Sequence, residues 1–450
     1  MMMRKYLILT VLTCLCLGIV GCQKEFLEKK TDKGILVPVT LNELQSLLDN
    51  TSLMNKVTGM QLLAGDELQP TDNGWQAFTT PEQRNAYIWA DDLYEGRTST
   101  EWNTPFQQVL VSNIVLEGAE KMVGSGSAVD ELRGAAYFYR AMAYHSLAEK
   151  FTRPYTSSTA SQEMGLPYHL EADVNARPGR GSLEQTYLLM IADLEKAAEL
   201  LPLNPIANHR PSKKAANGLL ARLYLLRQQY DLALEYAERV LSAGATLVDL
   251  NTRNVYADAN GNVEVIFNSG MLAYGFLNST LSYVHPALIS SYQANDLRLA
   301  QFFVSRGNNN YTLTPAIFSQ NLNRFGGIAL DEMYLIRAEV LVRSDRVDDG
   351  LDMLNQLLVK RYRTGTFVPY SGLGKMDALK LVLSERKKEL MGRGLRWSDL
   401  RRLNLEPNLA QTLVKTVKGV EYRLEPNSGK YVFPIPDAEI ALSGIPQNRR

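Results

Sequence analysis

A mainly α-helical scaffold of tetratricopeptide-like repeats, carrying long loop insertions and little β-structure, is the fold class this sequence predicts. Three observations predict it. Apolar residues recur at helical spacing in segments that come in pairs, short polar turns join the members of a pair, and small residues such as Gly218, Ala221, Ala233 and Ala237 sit where paired helices must approach closely. Length points the same way: single cores stop growing near ~250 to 300 residues, so a 450-residue chain divides into domains or extends its core along an array.

The first segment reads as an address label. Arg4 and Lys5 precede an almost uncharged apolar run from Tyr6 to Val20, too short for a spanning helix of ~20 residues and suited to a signal peptide. The run ends Ile19-Val20-Gly21-Cys22, which resembles a bacterial lipobox and predicts cleavage before Cys22 and lipidation of that cysteine. Acyl chains partition into a bilayer at about 0.8 kcal/mol per buried CH₂, and stable attachment takes more than one chain, so a lipidated Cys22 predicts a membrane anchor. The charged stretch from Gln23 to Lys33, with Phe26 and Leu27 as its bulky residues, reads as a tether.

Helices follow in pairs. From Ser182, the residues Leu183, Tyr187, Ile191, Leu194, Ala198 and Leu201 recur at helical spacing, with Ser182 and Gln185 placed as a capping box and Pro202 as the stop. Between Lys213 and Leu241 two apolar stripes separated by a short turn predict a helical hairpin. The pattern returns from Asp331 to Arg361 around a polar turn expected at Ser344 to Asp349. Leu132 to Lys150 and Ala378 to Arg393 add further helices. Two insertions interrupt the array: residues 51 to 110, which hold Trp75, Trp89 and Trp102, and residues 242 to 330, rich in Gly, Asn and Tyr. In the second, Val263 to Phe267 has the β-branched and aromatic character of a short strand. Insertions on such an array usually form its binding face.

Composition and motifs exclude several functions. Forty-eight Lys and Arg balance 48 Asp and Glu with no basic block, against the cationic excess a nucleic-acid binder needs, so no nucleic-acid partner is expected. All three cysteines fall within the first 22 residues, which removes disulfides, thiolate metal sites and cysteine nucleophiles from the folded part. The four histidines are far apart, and no hydrolase, phosphate-loop or metalloprotease motif occurs. Gly179-Arg180-Gly181 and Gly392-Arg393-Gly394 lack the rest of a dinucleotide fingerprint and read as turns. Asp258-Ala259-Asn260-Gly261-Asn262-Val263-Glu264 alternates oxygen ligands like a calcium loop, but its glycine stands fourth where the helix-loop-helix pattern needs it sixth, so a turn feeding the strand is expected. Asp91-Asp92 and Asp348-Asp349 read as solvated surface. The chain is expected to have no catalytic residues, no metal and no cofactor.

Much of the chain resembles the SusD/RagB family. The match runs through Arg140 to Phe151 with Pro154, Tyr187 to Pro202, His209 to Tyr224, Tyr230 to Val240 and Glu332 to Glu339. It continues through Glu385 to Leu390, Gly394 to Arg402, and Phe433 to Ile440 with Gln447 and Asn448. The resemblance implies an outer-membrane lipoprotein of Bacteroidota on a tetratricopeptide-like scaffold, in the order signal peptide 1–21, lipidated tether 22–33 and one SusD-like domain 34–450, with its N-terminal part near 34–240 and its C-terminal part near 241–450. It further implies a non-catalytic role: capture of an oligo- or polysaccharide at the cell surface and delivery to a SusC-like TonB-dependent transporter. The alternative is the same architecture capturing peptides. Thr152-Arg153 stands where the family has a glycine before the proline, and Arg393 replaces a common glutamate.

Sugar rings present apolar C–H faces that stack on aromatic planes, and their hydroxyls need amide, carboxylate or guanidinium partners. Asp72-Asn73-Gly74-Trp75 has that mixture in a turn-prone loop, with no helical stripe around the tryptophan, so Trp75 is expected as an exposed platform with Asp72 and Asn73 beside it. Tyr274, Tyr283 and Tyr292 (with Phe276) are the further candidates. Trp89 and Trp102, set among apolar residues, are expected in the core, and so is Trp397, with Arg396, Asp399 and Arg401 pairing or capping around it.

Overall fold

In a computed structural model the chain is described over residues 38–122, 126–244, 246–252, 262–314 and 324–450. The signal segment, Cys22 and most of the calcium-like turn lie outside these residues. Two units are distinguished, Met1–Thr40 and Leu41–Arg450. Of the first, residues 38–40 are described, with Val39 exposed. Everything that follows concerns the second.

The capping box forms as the sequence predicts: the Ser182 hydroxyl accepts from the Gln185 amide at 3.1 Å while the Gln185 side chain accepts from the Ser182 amide at 3.0 Å. Ten helices make the scaffold: α1 (Leu41–Leu48), α2 (Thr100–Glu120), α3 (Ser127–Phe151), α4 (Leu183–Leu200), α5 (Lys213–Leu226), α6 (Tyr230–Leu241), α7 (Leu330–Arg343), α8 (Val347–Leu358), α9 (Lys375–Glu389) and α10 (Arg396–Leu403). Six shorter ones bring the described residues to sixteen α-helices and about 48% helix. Consecutive helices pack on one another: α3 lies on α2 and α4, α5 on α4 and α6, and α7 on α6, α8 and α9. Each hairpin thus buries its apolar stripe on the next, the tetratricopeptide-like plan.

Close approach explains the small residues. A Cβ at Gly218 would stand 2.8 Å from Ile328 Cγ2, so a side chain there would push α5 off the strand before α7. The turn between α7 and α8 is shorter than the expected Ser344 to Asp349. Asp348 and Asp349 lie inside the first turn of α8, where carboxylates complement the positive end of the helix. Helix α9 ends at Glu389, short of Arg393, because Gly392 and Gly394 adopt φ of +76° and +78° and turn the chain away.

Sheet is confined to six two-stranded ladders among the described residues. In chain order the strands are β1 (Lys56–Val57), β2 (Leu68–Pro70), β3 (Met164–Pro167), β4 (Arg180–Ser182), β5 (Val265–Phe267), β6 (Gly270–Met271), β7 (Ser282–Val284), β8 (Phe303–Ser305), β9 (Tyr311–Leu313), β10 (Ile328–Ala329), β11 (Leu413–Val417) and β12 (Val420–Leu424). The expected strand near Val263 is β5, fully buried, and it begins two residues later. Two ladders join the insertions to each other: β1 pairs parallel with β6, and β2 antiparallel with β7.

Helices α7, α9 and α10 are held by buried ion pairs. Arg402 donates to both oxygens of Glu339 at 2.5 and 2.8 Å and to Asp399 at 2.9 Å; Arg386 also reaches Asp399, at 2.9 Å. Arg222 of α5 binds Glu332 bidentately at 2.8 and 2.7 Å. Arg298 gathers Asp296, Glu385 and Glu389, and Arg361 joins Glu389 to Glu264. Bidentate guanidinium–carboxylate geometry satisfies each charge where water is excluded.

Candidate functional site

The two insertions meet at the β2–β7 ladder, where Leu68, Gln69 and Pro70 stand opposite Val284, Tyr283 and Ser282. Directly opposed residues share a face of an antiparallel pair, so the exposed Gln69 and the half-buried Tyr283 are side by side. Beyond β2 the Thr71 amide donates to the Leu281 carbonyl at 3.0 Å, and the Thr71 hydroxyl caps a one-turn helix, Asp72–Gln76, by accepting from the Gly74 amide at 3.0 Å. A Cβ on Gly74 would lie 2.6 Å from the Leu281 carbonyl oxygen, so only glycine lets this helix lie against the second insertion.

Trp75 is half-buried and its plane is fixed. The indole Nε1 donates to the Arg84 carbonyl at 3.0 Å, and the Arg84 guanidinium donates to the Phe78 carbonyl at 2.6 Å. Asp72 and Asn73 are exposed beside it. A third element reaches this surface. The β11–β12 hairpin turns through Lys418 and Gly419, at φ of +50° and +78°, which is two-residue turn geometry with both central residues left-handed. The Lys418 amide donates to Asp72 Oδ1 at 2.8 Å, and its ammonium stands 6.0 Å from the Trp75 ring centroid. Nothing in the sequence tied residue 418 to residue 72. Gly419 between two alternating runs was the available signal of a hairpin turn.

The other tyrosines are placed differently. Tyr274 is buried, stacks on Phe276 with centroids 5.3 Å apart, and donates its hydroxyl to Glu101. Tyr292 is buried and donates to the Lys388 carbonyl at 2.8 Å. Neither offers a ring face to a ligand. Both tie the second insertion to other parts of the chain, Tyr274 to the first insertion and Tyr292 to α9, since buried hydroxyls need acceptors. The structure thus groups Asp72, Asn73 and Trp75 with Lys418, places Tyr283 beside Gln69 on the adjoining ladder, and sets Tyr274 and Tyr292 apart. Trp89, Trp102 and Trp397 are buried, as expected. Arg396 pairs with Asp66, Asp399 with Arg386 and Arg402, and Arg401 donates to the carbonyls of Glu149 and Thr152.

Below the surface the shifted acids are internal. Burial, with the nearby Glu101 charge, pushes the Glu82 carboxyl up to about 8, against the hydrogen bond it accepts from Ser99 at 2.5 Å. Burial likewise raises Glu101, which accepts from the amides of Gly59 and Met60 and faces Lys150 at 3.6 Å. Burial brings Glu67 to about 7, opposed by the Gly392 amide. Glu264, the last residue of the calcium-like turn, is buried and occupied by Arg361 and the Val248 amide. Among the described residues no group of three His, Cys, Asp or Glu side chains is arranged to hold a metal. What the surface offers is a fixed aromatic plane, a second aromatic ring, two amides, a carboxylate and an ammonium.

A helical-repeat scaffold that presents such a surface on loop insertions is the architecture of a binding protein. Two family models match the chain: one described as starch-binding associating with outer membrane, over residues 25–225, and one described as the SusD family, over residues 328–448. The chain belongs to the SusD family. SusD-like protein P2 of Formosa agariphila is 28% identical over 253 residues, covering 53% of this chain and 46% of that protein. SusD-like protein P38 of the same organism is 28% identical over 117 residues, or 25% of this chain and 22% of that protein. The matches therefore span less than half the length of these curated relatives. Solved structures agree in fold over most of the chain. A SusD superfamily protein from Bacteroides thetaiotaomicron aligns with a TM-score of 0.73 at 19% identity, covering 91% of this chain and 98% of the other. Surface glycan-binding protein A from Bacteroides fluxus aligns at 0.70 and 18%, covering 91% and 99%. Among the described residues no helix is long and apolar enough to cross a membrane.

Proposed function

We propose that this protein is a cell-surface lipoprotein, anchored to the outer membrane through Cys22, that captures an oligo- or polysaccharide on the surface around Trp75 and delivers it to a SusC-like TonB-dependent transporter without altering it chemically. The observation that carries the capture step is the pinned Trp75 plane with Asp72, Asn73 and Lys418 beside it and Gln69 and Tyr283 on the adjoining ladder. An aromatic face meets the C–H face of a sugar ring, and the polar rim exchanges hydrogen bonds with its hydroxyls. Family membership and the names of the structural neighbours support the same ligand class. The anchor and the transporter rest on the lipobox-like sequence and on the family resemblance.

The test is affinity retardation and calorimetry of residues 23–450, which hold every described element, against plant, host and microbial polysaccharides and a peptide set. Retardation by one polysaccharide class, weakened at least ~10-fold by Trp75→Ala with the thermal midpoint lowered by no more than the few degrees that ~1 kcal/mol represents, is the expected result. Binding to peptides alone at this surface would overturn the glycan reading.

A further inference from the structure

Away from the surface around Trp75, and sharing no residue with it, is a groove of about 360 Å³ between α2, the segment 167–178 and the short helix Asp437–Ser443. Its volume lies in the range of pre-formed ligand sites. Asn103, Phe106, Gln107 and Leu110 recur at helical spacing, so one face of α2 makes the floor. Phe106 is held edge-on by His169, with centroids 5.6 Å apart, and by Tyr144 at 6.1 Å.

The wall is rigid as well. Asn113 donates to the carbonyls of His169 and Glu171 at 3.2 and 3.0 Å and accepts from Arg140 at 2.9 Å, and Glu117 accepts from the Ala172 amide at 2.6 Å. These bonds hold the loop against α2, and they leave its Glu171 and Asp173 side chains exposed.

Charge and polarity select the occupant. Glu171, Asp173 and Glu439 line the groove, and none of the three is in an ion pair among the described residues. Arg177, the guanidinium in the lining, donates to the carbonyls of Val174 and Ala176 on its own loop. Burial holds the His169 imidazole below its usual range, so it adds no positive charge at neutral pH. At the rim Val174 and Leu442 are each 67% exposed.

We infer that this groove docks a peptide segment of a partner protein in which a lysine or arginine is flanked by aliphatic residues. The cationic head meets the three carboxylates, and the aliphatic neighbours cover Val174, Leu442 and the Phe106 floor. An anionic ligand would face three carboxylates. A neutral polyhydroxylated one could pair with Asn103 and Gln107 but would bring no charge to meet the three carboxylates. The inference goes beyond the glycan reading and does not depend on it.

The test uses the full chain in detergent and three fluorescent probes: a short peptide alternating leucine with lysine, its counterpart with glutamate in place of lysine, and a chitosan oligosaccharide. The leucine–lysine peptide should bind, weaken with added salt, and lose at least ~10-fold in affinity in the double variant Glu171→Lys, Glu439→Lys and again in Leu442→Asp. Glu171 and Leu442 are exposed and Glu439 is half-buried, and unchanged thermal midpoints will show that the variants fold. Equal binding of the two peptides, indifference to the charge reversal, or binding of the amino sugar alone would overturn the proposal.

Discussion

Glu82 follows Trp75 by seven positions and carries a proton at a pH where an exposed carboxyl has none. Its pKa, pushed up from 4.5 to about 8 by burial and by the Glu101 charge, sets the sign of its contribution to stability. A group raised in the folded state stabilises fully below its unfolded value, and that stabilisation is lost as pH rises through the folded value. Between about pH 4.5 and 8 the protein should therefore lose stability on this account. Glu82→Gln, which fixes the neutral form, should match the parent's thermal midpoint near pH 5 and exceed it near pH 8. Equal midpoints at both values would mean that Glu82 is ionised in the folded chain. Glu339 runs the opposite way. Burial raises it, but Arg402 and Arg343 outweigh that and leave it at about 2, so its contribution is present above 4.5 and disappears as pH falls toward 2.

At the scale of elements, the glycine at position 74 controls where the Trp75 helix lies. Gly74→Ala drives a methyl into the Leu281 carbonyl at 2.6 Å, so the short helix must move off the β2–β7 ladder. A cost of about 1 to 3 kcal/mol in unfolding free energy is expected, together with loss of glycan retardation greater than the stability change alone would give. The ion pairs make a second element-level prediction. Arg402→Met leaves Glu339 with Arg343 alone and Asp399 with Arg386 alone, and removing one partner from a buried ion-pair network should cost about 3 kcal/mol by denaturant unfolding, the low end for a buried pair broken on one side. The sequence made some of this legible and hid the rest. The capping box at Ser182 and Gln185 and the stripes of α5 and α6 are local signals, written in neighbouring residues, whereas the expected helix from Ala378 to Arg393 overran the end of α9 at Glu389. The partners of Tyr274 and Tyr292 are not local: Glu101 and the Lys388 carbonyl come from other parts of the chain, and a tyrosine in a loop carries no mark of whether such an acceptor waits for it. Lys418 escaped notice for the same reason.

Over the whole molecule, the motifs that carry the family resemblance are the ones that hold the helices together. Glu332 and Glu339 of α7, Glu385, Arg386 and Glu389 of α9, and Asp399 and Arg402 of α10 form the buried ion-pair frame. The resemblance thus reports the scaffold far more strongly than the proposed ligand surface, whose Asp72, Asn73, Trp75 and Tyr283 lie in the insertions outside those motifs. The anchor belongs to this scale too. Cys22→Ala should shift the protein from the membrane to the soluble fraction or leave its leader uncleaved, and a variant that fractionates with the membrane as the parent does, with its leader removed, would sink the lipoprotein reading.

The ladders between the two insertions also set an order of events during synthesis. The helical pairs of the scaffold join segments close in sequence and can form as each leaves the ribosome, whereas Gly59 waits for Tyr274 across 215 positions, and β2 waits for β7 over a similar span. Contacts that close such long loops come late in folding. A nascent chain that ends before the second insertion therefore has its first repeats in place while the Trp75 helix has nothing to lie on, and the surface around Trp75 is among the last parts of the molecule to exist.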